Sequence, residues 1–177
     1  MRMTAWIKRQ VADHPMRVLA VVLAGIALVN WVGLPNPEER DMYGRTPLIA
    51  AAYEGDMWQA RLWLALGADV DAEEPCGTTA LMRAIQKGHP EMAEWLLHRG
   101  ADPEAADETG LSALHLAARE GERALAERLI EGGADPAAEE SAHGRTPIEE
   151  AEEAGHEGLA EHLSRAASQA SAKGSSS

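Results

Sequence analysis

His156 and His162 stand near the C-terminus with Glu157 and Glu161 between them, four side chains of the kind that bind a divalent metal. Their spacing works against that use. Two histidines share a helical face when four residues apart, as in H-E-x-x-H, and these are six apart. The other five histidines, His14, His89, His98, His115 and His143, are scattered singly. The one cysteine, Cys76, lies between Pro75 and Gly77, and nothing in the sequence places a histidine where it would take the thiol proton. No cluster of glycines forms a phosphate-binding loop. Catalytic residues, a metal and a cofactor are therefore not expected, and a lone cysteine excludes an internal disulfide framework.

The glycines are punctuation instead. Gly44, Gly77 and Gly110 are 33 residues apart and Gly144 follows at 34. Gly67, Gly100 and Gly133 keep the same interval, each followed by Ala-Asp, and Gly55, Gly88, Gly121 and Gly155 form a third series. Between them the phrases TPLI, TALM, SALH and TPIE correspond, as do GADVDA, GADPEA and GADPAA. Three series in one register mean a repeat array. The pattern resembles the ankyrin repeat, with its 33-residue period and T-P-L-H opening, over about residues 38–165. The units fall at about 41–73, 74–106, 107–139 and 140–165.

Each unit can be read from its residues. Thr46, Thr79, Ser112 and Thr146 offer hydroxyls to cap a first helix, and Pro47 and Pro147 suit its first turn. Leu48, Ala51 and Ala52 give one narrow apolar face, repeated by Leu81, Ala84 and Ile85 and by Leu114, Ala117 and Ala118. The second helix buries Met92, Ala93, Leu96 and Leu97, then Leu125, Ala126, Leu129 and Ile130. Trp63 aligns with Leu96 and is expected in the core, whereas Trp58 and Trp95 align with more exposed places. No unit buries its face alone, so stacking must hold the array together. The expected fold is all-α, a solenoid of helix-turn-helix units with projecting loops, preceded by one hydrophobic helix. In the last unit Glu149, Glu150, Glu152 and Glu153 are expected to face water as a closing cap.

The resemblance implies a non-catalytic module that binds a protein partner through its loop tips and the adjoining first-helix surface. Those places hold Met42, Tyr43, Arg45, Tyr53 and Glu54 in the first unit. The second offers Pro75, Cys76, Thr78, Gln86 and Lys87, and the third Glu108, Thr109, Leu111, Arg119 and Glu120. The family's motif histidine, which ties adjacent loops together, survives only as His115, with Ile49, Met82 and Glu149 in the equivalent places. His89 and His156 match a family position with a structural role.

The N-terminus reads differently. Residues 15–34 include an unbroken apolar run, Val18 to Val29, and 20 residues of helix span about 30 Å, the thickness of a bilayer core. An uncleaved signal anchor or single transmembrane helix over residues 1–34 fits best, followed by a linker at 35–40. Cleavage near Gly25-Ile26-Ala27, releasing a soluble periplasmic or secreted binder, stays open. Four basic residues precede the run, against Arg40 and Arg45 after it, so the positive-inside rule places the repeats on the extracytoplasmic side of a cytoplasmic membrane. Arg- and Ala-rich, Lys-poor usage suggests a bacterial source.

Of the 16 Lys+Arg and 29 Asp+Glu residues, only four basic and one acidic lie in residues 1–34, which leaves 12 against 28 beyond them. That net charge of -16 repels nucleic acid and favours a basic partner. The tail, residues 166–177, lacks an apolar period and is expected to be disordered.

Overall fold

A computed structural model describes residues 36–140 and 143–174. Eight helices are found among the described residues, in four pairs: α1 (Pro47–Glu54) with α2 (Met57–Ala65), α3 (Ala80–Gln86) with α4 (Pro90–His98), α5 (Ala113–Glu120) with α6 (Arg123–Glu131), and α7 (Pro147–Glu153) with α8 (Glu157–Gly174). No strand occurs among them; the loops carry two isolated antiparallel bridges, Glu73 with Thr79 and Ala106 with Ser112. None of these helices is long and apolar enough to cross a membrane. The anchor expected at residues 15–34 lies outside the described residues.

The first helix of each pair starts as its residues dictate. The hydroxyls of Thr46, Thr79, Ser112 and Thr146 accept from the backbone N–H three residues on, satisfying one of the donors a helix start leaves free. Ala51, Ala84, Ala117 and Ala151 are then fully or almost fully buried. With small side chains at these positions, α1, α3, α5 and α7 pack directly on one another in sequence order. The second helices lie outside this row and add Met92 and Leu96, Leu125 and Leu129, then Leu159 and Leu163 to the large buried groups of the first, such as Leu48, Leu81 and Leu114. Trp63 packs against the core yet stays half-buried, since among the described residues no outer helix precedes its own. Its indole Nε1 is shielded and has no hydrogen-bond partner among them. Trp95 is also half-buried, with the Arg99 guanidinium 5.2 Å from its ring centroid.

Three expectations need revision. Glu150 does not face water: it is buried, with Arg145 Nη1 3.4 Å from its carboxylate. Its place in the first helix matches Leu116, a covered position, and the arginine reaching over from the loop compensates the buried charge. The segment after residue 165 is helical, since α8 continues to Gly174. Ala166, Ala167, Ala170 and Ala172 carry the highest helix propensity of any residue, so the helix propagates past its last packed turn. Residues 38–40 are not a free linker. Glu38 accepts from the backbone N–H of Asp69 at 3.0 Å, and Arg40 donates to the carbonyls of Gly44 and Glu73 at 2.8 and 2.6 Å.

Two of the turn glycines separate backbone cost from packing cost. Gly88 has φ +71 with open space where a Cβ would be; Gly121 has φ +74, and a Cβ there would lie 2.5 Å from the His156 ring. Gly88→Ala is expected to cost about 1–2 kcal/mol, the left-handed penalty alone, in urea unfolding. Gly121→Ala is expected to cost more, with part of the excess recovered by adding His156→Ala.

Candidate protein-binding surface

The loops that precede the inner helices form one continuous edge because each is fastened to the next. Gly44 lies so close to Pro75 that a Cβ there would sit 2.7 Å from the proline ring. The backbone N–H of Glu108 donates to the Cys76 carbonyl at 3.1 Å, and that of Asp102 to the Asp71 carboxylate at 2.8 Å. Between the third and fourth units the link is His115, fully buried. Its Nδ1 accepts from the backbone N–H of Ser112 at 3.2 Å, so Nε2 carries the proton that reaches the Arg145 carbonyl at 3.1 Å. Where the histidine is missing, Arg40 and the backbone bonds tie the loops instead.

Four acids at 33-residue intervals, Asp41, Glu74, Asp107 and Glu140, anchor the start of each loop. In the first and third units the short aspartate bonds its own turn: Asp41 accepts from the N–H groups of Tyr43 and Arg45, and Asp107 from those of Thr109 and Leu111. In the second and fourth the longer glutamate is buried and reaches an arginine, Glu74 to Arg83 and Glu140 to Arg145. The series is visible in the sequence. Its role is not, because Arg83 lies nine residues from its acid and no spacing rule joins them.

On this edge four of the expected residues come together. Arg45 sits between two rings, 4.8 Å from the Tyr43 centroid and 5.2 Å from that of Tyr53. Lys87, from the next unit, lies 4.4 Å from the Tyr53 centroid. The row Tyr43–Arg45–Tyr53–Lys87 thus alternates rings and cations across the first two units, each contact contributing about 0.5–1 kcal/mol at an exposed site. Asp41 holds Arg45 in place. Desolvation opposes ionisation of its carboxyl, but bonds from the Arg45 guanidinium and from the Arg45 and Tyr43 backbone outweigh it and hold the group below the ordinary aspartate value. The bond from Arg83 to Glu74 likewise raises the arginine above its ordinary value.

The other expected residues are dispersed along the same edge. Met42 is 89% exposed at the first loop tip, and Glu54 is exposed at the end of α1. Cys76 is exposed, with Sγ 3.1 Å from the Thr78 hydroxyl. Thr78 itself is buried, so little of it is open to a partner. Gln86 accepts from Arg83 at 2.6 Å. Glu108 and Thr109 are exposed on the third loop, Leu111 is half-buried against the core, and Arg119 pairs with Glu120 at 3.6 Å. Asp41, Glu74, Arg83 and Arg145 are the additions that sequence reasoning missed.

Each histidine among the described residues is held by a structural contact, His143 by its Nδ1 lying 2.9 Å from the Glu140 carboxylate. His89 and His156 rings lie over Gly55 and Gly121, His98 accepts from Arg128 at 3.2 Å, and His162 lies 3.4 Å from both Arg123 and Glu127. His156 and His162 share no site. Among the described residues no group of three or more His, Cys, Asp or Glu is placed to hold a metal ion.

A family model described as ankyrin repeats (3 copies) matches residues 19–107, half of the chain, and one described as ankyrin repeat matches residues 109–140. The chain belongs to the ankyrin-repeat family. No curated protein matches it. The first match begins inside the apolar N-terminal run, and the helices of the fourth ankyrin unit continue beyond the end of the second. Ankyrin repeats typically serve as non-catalytic interaction modules, and nothing here points to an enzyme. The edge combines a fixed frame with exposed residues that differ from unit to unit.

Removing Arg83 strands a buried carboxylate, and leaving one partner of such a pair is costly. Arg83→Ala is expected to lower unfolding stability by about 2–3 kcal/mol, and adding Glu74→Gln to restore most of it.

Proposed function

We propose that this ankyrin protein is tethered by residues 15–34 in the cytoplasmic membrane and presents its loop edge to a protein partner on the extracytoplasmic side. The observation that carries the binding role is the row Tyr43–Arg45–Tyr53–Lys87. Aromatic residues and arginine dominate binding hot spots, and cation–ring contacts that already fix these side chains lower the entropy lost on docking. Net charge favours a basic partner. Confinement to the membrane raises the partner's local concentration there.

A second reading is favoured by the reach of the family match back to residue 19. The phrase Asn36-Pro37-Glu38 keeps the register of Asp102-Pro103-Glu104, so the apolar run would then belong to a leading repeat rather than to a bilayer.

Full-length chain of 19.0 kDa is expected in the membrane pellet after alkaline extraction, with the repeats digested by protease added outside the cytoplasm. A shorter soluble product points to cleavage and release, and a full-length soluble one to the second reading. A photo-crosslinker at Tyr53 is expected to trap a discrete partner that the same group at Glu94, on an outer helix, does not. Identical products from both positions overturn the binding role of the edge.

A further inference from the structure

Successive outer helices are separated by grooves, and the first groove differs from the two that follow. Between α4 and α6 a polar bridge crosses the gap, with Arg128 donating to His98 Nε2 at 3.2 Å. Between α6 and α8 the His162 Nε2 lies 3.4 Å from the Glu127 carboxylate. Ala65 and Trp95 stand 33 residues before His98 and Arg128 and hold their places in the preceding groove. Alanine has no polar group to make the bridge, and among the described residues none joins α2 to α4. The groove they leave has a volume of about 490 Å³. Leu64, Val70 and Trp95 give it apolar walls, and Arg61 and Arg99 line it beside them.

Neither of these arginines pairs with a carboxylate among the described residues, although residues 35–177 hold 12 basic against 28 acidic residues. The Arg99 guanidinium lies over the Trp95 ring, 5.2 Å from its centroid. Such stacking uses the face of the group and leaves its N–H edge for a bidentate acceptor. Asp69, the acid among the lining residues, accepts instead from the backbone N–H of Asp71 at 3.1 Å. We propose that this groove is a second docking site, which takes an acidic protein segment: an apolar side chain against Leu64, Val70 and Trp95, and carboxylates on Arg61 and Arg99. Its volume is near the low end for binding pockets and suits one or two side chains rather than a whole helix. Residues 1–34 do not complement it, since they hold four basic residues against one acid. The site lies between outer helices, rests on neither the tether nor the loop edge, and selects the charge opposite to that favoured by the domain as a whole.

The test uses the full chain in micelles of a zwitterionic detergent, with fluorotryptophan at its five tryptophans. Trp95→Phe identifies the Trp95 resonance in the fluorine NMR spectrum. At about 0.15 M salt, exposed charges more than about 8 Å apart are largely screened, so the acids elsewhere on the domain add little repulsion. The probe is a short peptide with one leucine flanked by glutamates, and the reference is the same peptide with lysines in their place. The glutamate peptide is expected to shift the Trp95 resonance saturably. Arg61→Ala combined with Arg99→Ala is expected to weaken that binding about tenfold or more, the loss of at least one hydrogen bond between charged groups. Both arginines are exposed, so the core is not at stake, and Arg119→Ala on the loop edge is expected to leave the affinity unchanged. An unmoved Trp95 resonance, equal binding of the lysine peptide, or unchanged affinity in the double variant overturns the site. A Trp95 resonance that moves with protein concentration before peptide is added, and no longer does in the double variant, assigns the groove to a second copy and also overturns the proposal.

Discussion

The close approach of neighbouring inner helices is the constraint on which the remaining structure depends. It is possible because Ala51, Ala84, Ala117 and Ala151 occupy the same place in four successive units and are all buried. A methyl group brings the helix backbones together, and a larger side chain would push them apart. With the inner helices fixed at that separation, the loops that precede them are brought within reach of one another. The bonds from Arg40 to Glu73, from Glu108 to Cys76 and from His115 to Arg145 then follow. The edge is continuous because the alanines set its spacing.

Stacking also explains why the two ends of the array differ. An end unit has a face that no later or earlier unit covers. At the C-terminal end the chain supplies acids, and Arg145 gathers three of them, Glu140, Glu150 and Glu153, so the cap is an ion-pair network rather than a plain solvated surface. At the other end the first unit keeps Trp58, Leu62 and Met42 exposed and leaves Trp63 Nε1 without a partner among the described residues. One end is finished by the repeat unit itself. The other leaves large apolar side chains exposed among its charged residues.

Much of this was legible in the residues. The 33-residue glycine intervals, the capping hydroxyls at Thr46, Thr79, Ser112 and Thr146, and the alternation of alanine with larger apolar groups specify local geometry through rules that act over three or four residues. They also repeat, so each occurrence supports the others. What was not legible depends on pairs far apart in sequence. Arg83 with Glu74 and Lys87 with Tyr53 meet only once the units are stacked. Glu150 read as solvated because its own helix is acidic, and the arginine that covers it comes from the preceding loop. The length of α8 was missed for a different reason: alanines without an apolar stripe carry helix propensity but no burial signal.

The central claim is that alanine at the inner-helix contact sets the separation of the repeats. Urea unfolding of Ala117→Leu tests it most directly, with Ala50→Leu as the comparison at a half-buried position of an inner helix. Overpacking at Ala117 is expected to cost about 3 kcal/mol, at the upper end of what extra methylenes cost in a close-packed core, while Ala50→Leu changes stability by about 0.5 kcal/mol or less. Equal, small losses from both substitutions would contradict the account.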